Sequence, residues 1–178
     1  MNEKSSVKEN IYLCGFMATG KSSVGKRLAS LLDYTFLDMD AVIEQEAEMT
    51  IPQIFSSRGE PAFRALESDL VHRLASQSGI VVATGGGAIA NPKNLEALKN
   101  SGTVITLTAD PETILLRVGS GEDRPMLKGG NKAERIATLM EERAHAYAQA
   151  DITVDTSSLG IDETARHILV LLERRSEG

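Results

Sequence analysis

A single cysteine, Cys14, excludes any internal disulfide, and its place at the end of an apolar run fits a small buried hydrophobe rather than a nucleophile. No apolar stretch approaches the roughly 20 residues that cross a bilayer, and Met1 to Asn10 is polar, without the apolar centre of a secretory signal. A cytoplasmic chain is expected, with no membrane partner. Basic residues are outnumbered, 19 against 25, for a net charge of -6. That balance argues against nucleic acid as a partner, because such proteins carry a basic field. The three histidines, His72, His145 and His167, are scattered over predicted helices and form neither a metal-ligand set nor a triad. There is no internal repeat, no low-complexity tract and no composition shift marking a second domain. At 178 residues, one α/β domain with a sizeable core is the natural size.

What is present starts with Gly15-Phe16-Met17-Ala18-Thr19-Gly20-Lys21-Ser22, a complete Gly-x-x-x-x-Gly-Lys-Ser phosphate loop. It lies between an apolar run, Ile11 to Cys14, and a helical pattern from Ser23 to Leu32. A strand, a glycine-rich turn and a helix N-terminus in that order aim several backbone N–H groups and the positive end of a helix dipole at one anion. Lys21 reaches β- and γ-phosphates, and the Ser22 hydroxyl suits Mg²⁺. The chain is therefore expected to bind a nucleoside triphosphate. Anionic ligands on an acidic protein require Lys and Arg side chains to converge locally.

Strand and helix patterns alternate along the chain, which predicts a parallel sheet with helices on both faces. Strands are expected at about 11–14, 35–38, 80–84, 103–108 and 152–155. Helices are expected near 21–32, 40–48, 51–57, 61–77, 92–100, 111–118, 131–149 and 161–174. Asp110-Pro111 and Asn91-Pro92 each pair a capping residue with proline at the first helical position. The last helix should turn Ile161, Ala165, Ile168, Leu169 and Leu172 inward. The stretch from Gly119 to Asn131 has glycines at both ends and Arg124-Pro125 in its middle. A long unstructured connection of that make-up reads as a hinged lid carrying a cation, or as a plain solvent loop.

Four further groups carry chemistry. Asp38 and Asp40 end the second strand and point into the crevice where open α/β sheets bind ligands. One can support a metal's water shell while the other takes a proton from a substrate hydroxyl; alternatively they are caps for a helix starting at Ala41, a task Asp40 fills alone. Arg64 and Glu67, three apart on one helix face, are either a surface ion pair or a guanidinium fork held for a carboxylate. Gly85-Gly86-Gly87 follow a strand and present bare backbone to a ligand, with Thr84 beside them to bond a metal-bound water. Arg143, by itself, is an ordinary helix arginine.

Taken in order, the phosphate loop, Asp38-x-Asp40, Phe63-Arg64-x-x-Glu67, Gly85-Gly86-Gly87-Ala88, Arg124-Pro125-x-Leu127 and Glu142-Arg143-x-x-x-Tyr147 resemble the shikimate kinase family, from about Ile11 to Leu172. The resemblance implies a nucleoside-monophosphate-kinase-like three-layer fold around a five-stranded parallel sheet. It implies one kinase domain over 1–178, with a substrate-binding subdomain at about 40–77 and a lid at about 119–131. It further implies transfer of the ATP γ-phosphate to the 3-hydroxyl of shikimate, in aromatic amino-acid biosynthesis, by a cytoplasmic monomer using Mg²⁺.

The residue roles follow from the same likeness. Asp38 and Ser22 serve the metal; Asp40 meets the reacting hydroxyl as candidate base. Arg64, oriented by Glu67, and Arg143 grip the shikimate carboxylate over Gly85, Gly86 and Gly87. Gly15, Ala18, Thr19, Gly20, Lys21, Ser22 and Ser23 hold the ATP phosphates, Arg124 covers them, and Arg117 stacks on adenine. Two departures stand out: Ala18 where the family commonly has glycine, and Thr156 to Gly160, which lacks the Arg or Asn with Pro often found at the adenine pocket. The rivals are a related kinase for gluconate or a nucleoside monophosphate, and a nucleotide-binding module without catalysis. Intact Lys21, Ser22, Asp38, Asp40 and Arg124 argue against the last, and the missing Asn-Lys-x-Asp motif disfavours a regulatory GTPase.

Overall fold

A computed structural model describes residues 9–119, 127 and 129–176. Five strands form one parallel sheet in the order β2-β3-β1-β4-β5: β1 Asn10–Gly15, β2 Thr35–Asp38, β3 Ile80–Ala83, β4 Gly102–Thr108 and β5 Ile152–Asp155. Between them run α1 Lys21–Leu32, α2 Met39–Ala47, α3 Ile51–Arg58, α4 Glu60–Ala75, α5 Pro92–Ser101, α6 Pro111–Val118, α7 Lys132–Tyr147 and, last, α8 Ile161–Ser176. A short 3-10 turn at Ala88–Ala90 follows β3. The expected five-stranded, three-layer architecture is the one observed.

The alternation along the strands explains the layers. In β1, Tyr12 and Cys14 join one core with Leu70, Leu98, Leu139 and Tyr147, from α4, α5 and α7. Ile11 and Leu13 point the other way, into a second core with Leu28 of α1 and Ile168 of α8. A parallel sheet covered on both faces buries both sides of its central strands, so these read as near-continuous apolar runs rather than alternating ones. Cys14 is fully buried, beside the Ile105 carbonyl and the Thr106 hydroxyl. Burial pushes its thiol up to about 11, which makes it an inert packing residue. Among the described residues, no helix is long and apolar enough to cross a membrane.

Capping follows the sequence at two places. Asp110 accepts from Thr113 N at 2.7 Å and Asn91 from Lys93 N at 3.0 Å, each ahead of a proline in the first turn. Two expectations need correction. The helix after β2 begins at Met39, and its cap is Asp38, which accepts from the Asp40 and Ala41 amides; Asp40 has no capping role. On α8, Ala165 and Ile168 are buried and Leu169 and Leu172 pack against the same core as expected, with Thr164 beside them, whereas Ile161 is 52% exposed. The helix starts one residue after Gly160, so Ile161 sits in a first turn that has not yet come down onto the sheet.

Strand order reverses at β1, because β2 and β3 lie on one side of it and β4 and β5 on the other. Ligands of open α/β sheets sit at the carboxyl ends beside such a switch point. Gly15, Asp38 and Thr84 all end or follow strands there.

Candidate active site

The phosphate loop leaves β1 at Gly15, whose φ is +133° and where a Cβ would run into the Leu107 carbonyl oxygen. Gly20, at φ +92°, caps α1. Between them Ala18 is held at φ +59°, a left-handed conformation unusual for a residue with a Cβ. The loop is fastened from three sides. Thr19 Oγ1 donates to the Phe16 carbonyl at 2.9 Å, and Lys21 Nζ donates to the carbonyls of Gly15 and Phe16 at 3.0 and 2.8 Å. Arg117, in the last turn of α6, donates to the Ala18 carbonyl at 3.2 Å and grips Thr156 through its hydroxyl and carbonyl, at 3.1 and 2.8 Å. Thr156 Oγ1 in turn lies 3.1 Å from the Thr19 carbonyl. Thr156 is thus the keeper of the loop, a part that motif matching gave no reason to expect.

A cavity of about 200 Å³ lies over this loop, lined by Ala18, Gly20, Lys21, Ser22, Ser23, Asp38, Asp40 and Thr84 among others. Ser22 Oγ donates to Asp38 Oδ2 at 2.5 Å. Thr84 Oγ1 is buried in the same cavity without a hydrogen-bond partner among the described residues. Hydroxyl, carboxylate and hydroxyl are hard oxygen donors, the chemistry that Mg²⁺ takes when it is held by one or two protein oxygens and the nucleotide's phosphates. No group of three or more His, Cys, Asp or Glu is placed to cage a metal among the described residues. The residues present therefore fit a metal that arrives with its nucleotide.

A second cavity, about 290 Å³, adjoins the first and is lined by Asp40, Arg64, Glu67, Gly85, Gly86, Gly87 and Arg143, with Phe55, Phe63, Ile51 and Met17 as its apolar wall. The three glycines serve three different neighbours. A Cβ at Gly85 would collide with Glu67 Oε1, one at Gly86 would lie 3.0 Å from Arg143 Nη1, and one at Gly87 2.7 Å from Arg64 Nη1. The bare backbone is what lets two guanidinium groups and a carboxylate settle onto one turn.

Arg64 and Glu67 are no surface pair. Arg64 Nη1 meets Glu67 Oε2 at 2.5 Å, Glu60 holds the other side of the guanidinium at 3.1 Å, and Glu67 is 1% exposed. Burial pushes the Glu67 carboxyl up, against the pull of Arg64, and the neighbouring Asp40 adds to the rise. Arg143 is supported differently. Its guanidinium carbon lies 5.8 Å from the Phe16 ring centre, within cation–π range. The cavity carries Lys21, Arg64 and Arg143 against Asp40, Glu44 and Glu67. The expected convergence of cations is present, but carboxylates match it in number.

Lys21 and Asp40 line both cavities. Of the predicted site residues within the described range, all line one of the two except Gly15 and Thr19, which lie within the phosphate loop itself, and Arg117, which braces that loop. Arg124 and most of the stretch expected as a lid lie outside the described residues; of its flanks, Gly119, Gly129 and Gly130 have positive φ of 61°, 84° and 76°. Of the apolar wall, Phe63 on α4 belongs to the Phe63-Arg64-x-x-Glu67 motif, whereas Ile51 and Phe55 on α3 belong to none and look like ordinary core in the sequence.

Comparison with known proteins agrees with this geometry. The shikimate kinase family model matches residues 17–173. A shikimate kinase from Thermoanaerobacter pseudethanolicus is 43% identical over 170 residues, covering 96% of this chain and 99% of that protein. One from Geobacter sulfurreducens is 45% identical over 159 residues, 89% of this chain and 88% of that one. The solved structure of a shikimate kinase from Acinetobacter baumannii in complex with shikimate superposes with a TM-score of 0.91 at 38% identity, covering 94% of each chain. A match of this length and depth, in sequence and in fold, places the chain in one family: it belongs to the shikimate kinases.

Proposed function

We propose that this chain phosphorylates the 3-hydroxyl of shikimate with the γ-phosphate of ATP, and that the two adjoining cavities hold the two substrates. The observation that carries this reading is the shared wall: Lys21 and Asp40 face both the phosphate-loop cavity and the Arg64–Arg143 cavity. Phosphoryl transfer demands positioning and charge neutralisation more than covalent chemistry, so a donor site and an acceptor site meeting at a cation and a carboxylate is the arrangement it needs.

In this reading the loop amides from Gly15 to Ser23 and Lys21 hold the phosphates, and Lys21 exchanges the carbonyls of Gly15 and Phe16 for phosphate oxygens. Ser22 and Asp38 hold Mg²⁺, which supplies neutralisation of the β- and γ-phosphate charge when bound. Arg64 and Arg143 take the carboxylate of shikimate; Arg64 presents a fork already aligned by Glu67 and Glu60. Asp40 accepts the proton of the attacking hydroxyl. A cavity near the lower end of the roughly 300–1,000 Å³ typical of small-molecule sites suits a single small ring. Arg117 flanks adenine from its anchorage on Thr156, and Arg124, in the stretch 119–131 assigned as a lid, completes the phosphate site. Residues 40–77 act as the acceptor-binding subdomain of a single cytoplasmic, monomeric kinase domain.

The test is ADP release with Mg-ATP and, in turn, shikimate, quinate, gluconate or no acceptor. Turnover with shikimate alone is expected. Turnover with gluconate, or nucleotide binding without turnover on any acceptor, would overturn the assignment.

A further inference from the structure

We infer that Tyr147 is a positioning residue for the acceptor site: its phenol ties α7 to the Gly86 carbonyl and so fixes where Arg143 points. The inference rests on the reading of Arg143 as a carboxylate ligand.

Arg64 and Arg143 face the same cavity but are aimed by different means. Arg64 has two carboxylates, Glu60 and Glu67, gripping its guanidinium. Arg143 makes no ion pair with a carboxylate among the described residues; its charged head lies over the Phe16 ring, beside Gly86 and against the Tyr147 phenol. A long, flexible side chain without an ionic partner has several rotamers to lose before it binds, and each adds to the cost of binding. The place of its Cα, set by the last turns of α7, therefore matters more than it does for Arg64.

Tyr147 sets that place. It lies four residues after Arg143, on the same face of α7, and is 9% exposed. Its backbone carbonyl accepts from Thr106 Oγ1 of β4 at 2.9 Å, and its hydroxyl donates to the Gly86 carbonyl. A rigid ring anchored at both ends thus spans from the sheet to the glycine turn. A Cβ at Gly86 would lie 3.0 Å from Arg143 Nη1 and 3.8 Å from the Tyr147 hydroxyl, so all three groups meet at one peptide. Burial pushes this phenol up to about 12 against the pull of Arg143, so the hydroxyl keeps its proton at neutral pH.

Tyr147→Phe tests this, since it keeps the ring and removes only the donor. The readout is kcat and KM for shikimate and for ATP, with the same constants for shikimate methyl ester, whose carboxylate is neutralised. Loss of one hydrogen bond predicts KM for shikimate raised about five- to tenfold, with kcat and KM for ATP within about twofold. The preference for shikimate over its ester should shrink by the same factor, and in an Arg143→Ala background the change should have no further effect. A KM for shikimate that does not move, an equal loss on the ester, or additivity with Arg143→Ala would overturn the inference. Replacement of Tyr147 by 4-aminophenylalanine, which retains a donor at the ring's end, should restore the preference. Failure to restore it would also overturn the inference, even where Tyr147→Phe melts too low to assay. Absence of wild-type turnover on shikimate would instead defeat the reading of the reaction itself.

Discussion

Ser22 and Asp38 are joined across 2.5 Å, a hydroxyl in the first turn of α1 donating to a carboxylate at the carboxyl end of β2. Asp38 uses its other oxygen to cap α2, accepting from the amides of Asp40 and Ala41. One side chain therefore caps a helix and also carries the metal role proposed above, and the two can be separated by substitution. Asparagine caps a helix as well as aspartate does, whereas alanine loses about 1 kcal/mol. Asp38→Asn should keep the unfolding free energy of the wild type and raise the Mg²⁺ concentration needed for half-maximal activity by about 10–100-fold. Asp38→Ala should add the loss of stability. An unaltered Mg²⁺ requirement in Asp38→Asn would remove this residue from the metal site.

Gly87 is the contact point for Arg64. A Cβ there would stand 2.7–2.9 Å from three atoms of the guanidinium, which must swing away from its place between Glu60 and Glu67. Gly87→Ala should raise KM for shikimate by about tenfold or more, equivalent to about 1.4 kcal/mol, and leave KM for ATP unchanged. Equal effects on both substrates would show that the glycine turn serves the nucleotide as well.

Glu67 supplies a pH dependence. Burial holds its carboxyl above the ordinary range. The folded chain then keeps a proton that the unfolded chain has released. The stability this adds is present below the unfolded value and is lost as pH rises through the folded one. Glu67→Gln cannot titrate. The stability of wild type relative to Glu67→Gln, measured in urea, should therefore fall as pH is raised from about 4 towards 8, starting near the ordinary glutamate value of about 4.3. A difference that is flat, or that grows with pH, contradicts the direction of the shift.

Ala18 is strained where glycine would not be. A left-handed L-residue costs about 1–2 kcal/mol, offset in an Ala→Gly exchange by about 0.4–1 kcal/mol of added freedom in the unfolded chain. Ala18→Gly should stabilise the fold by up to about 1 kcal/mol in a urea titration; a destabilised variant would mean that the Ala18 side chain has packing worth more than its strain.

Aspartate 40 and arginine 64 should fail in different ways. Asp40→Asn is expected mainly to lower kcat, and Arg64→Ala mainly to weaken shikimate binding, as steady-state kinetics would report. A wild-type kcat/KM in either variant removes the role given to it.

The sequence by itself determined everything that acts within a dozen residues. The phosphate loop with its flanking strand and helix, the capping at Asn91-Pro92 and Asp110-Pro111, and the five strands are local matters of backbone freedom, capping and apolar periodicity. Even there, Asp40 alone looked sufficient to cap α2 where the cap is Asp38, because side-chain direction at a strand end depends on where the helix starts. Tertiary structure decided the rest. Arg64 and Glu67 were as consistent with a surface pair as with a buried fork, until packing left Glu67 1% exposed. Arg143 has no distinguishing neighbour in sequence; it faces the second cavity because α7 lies across the glycine turn at Gly86, with Phe16 beneath it and Tyr147 holding Gly86. Ala18 shows no strain until its φ is known. Periodicity and propensity report on neighbours along the chain, whereas burial, aim and charge pairing at this site arise between elements that only the wound parallel sheet brings together.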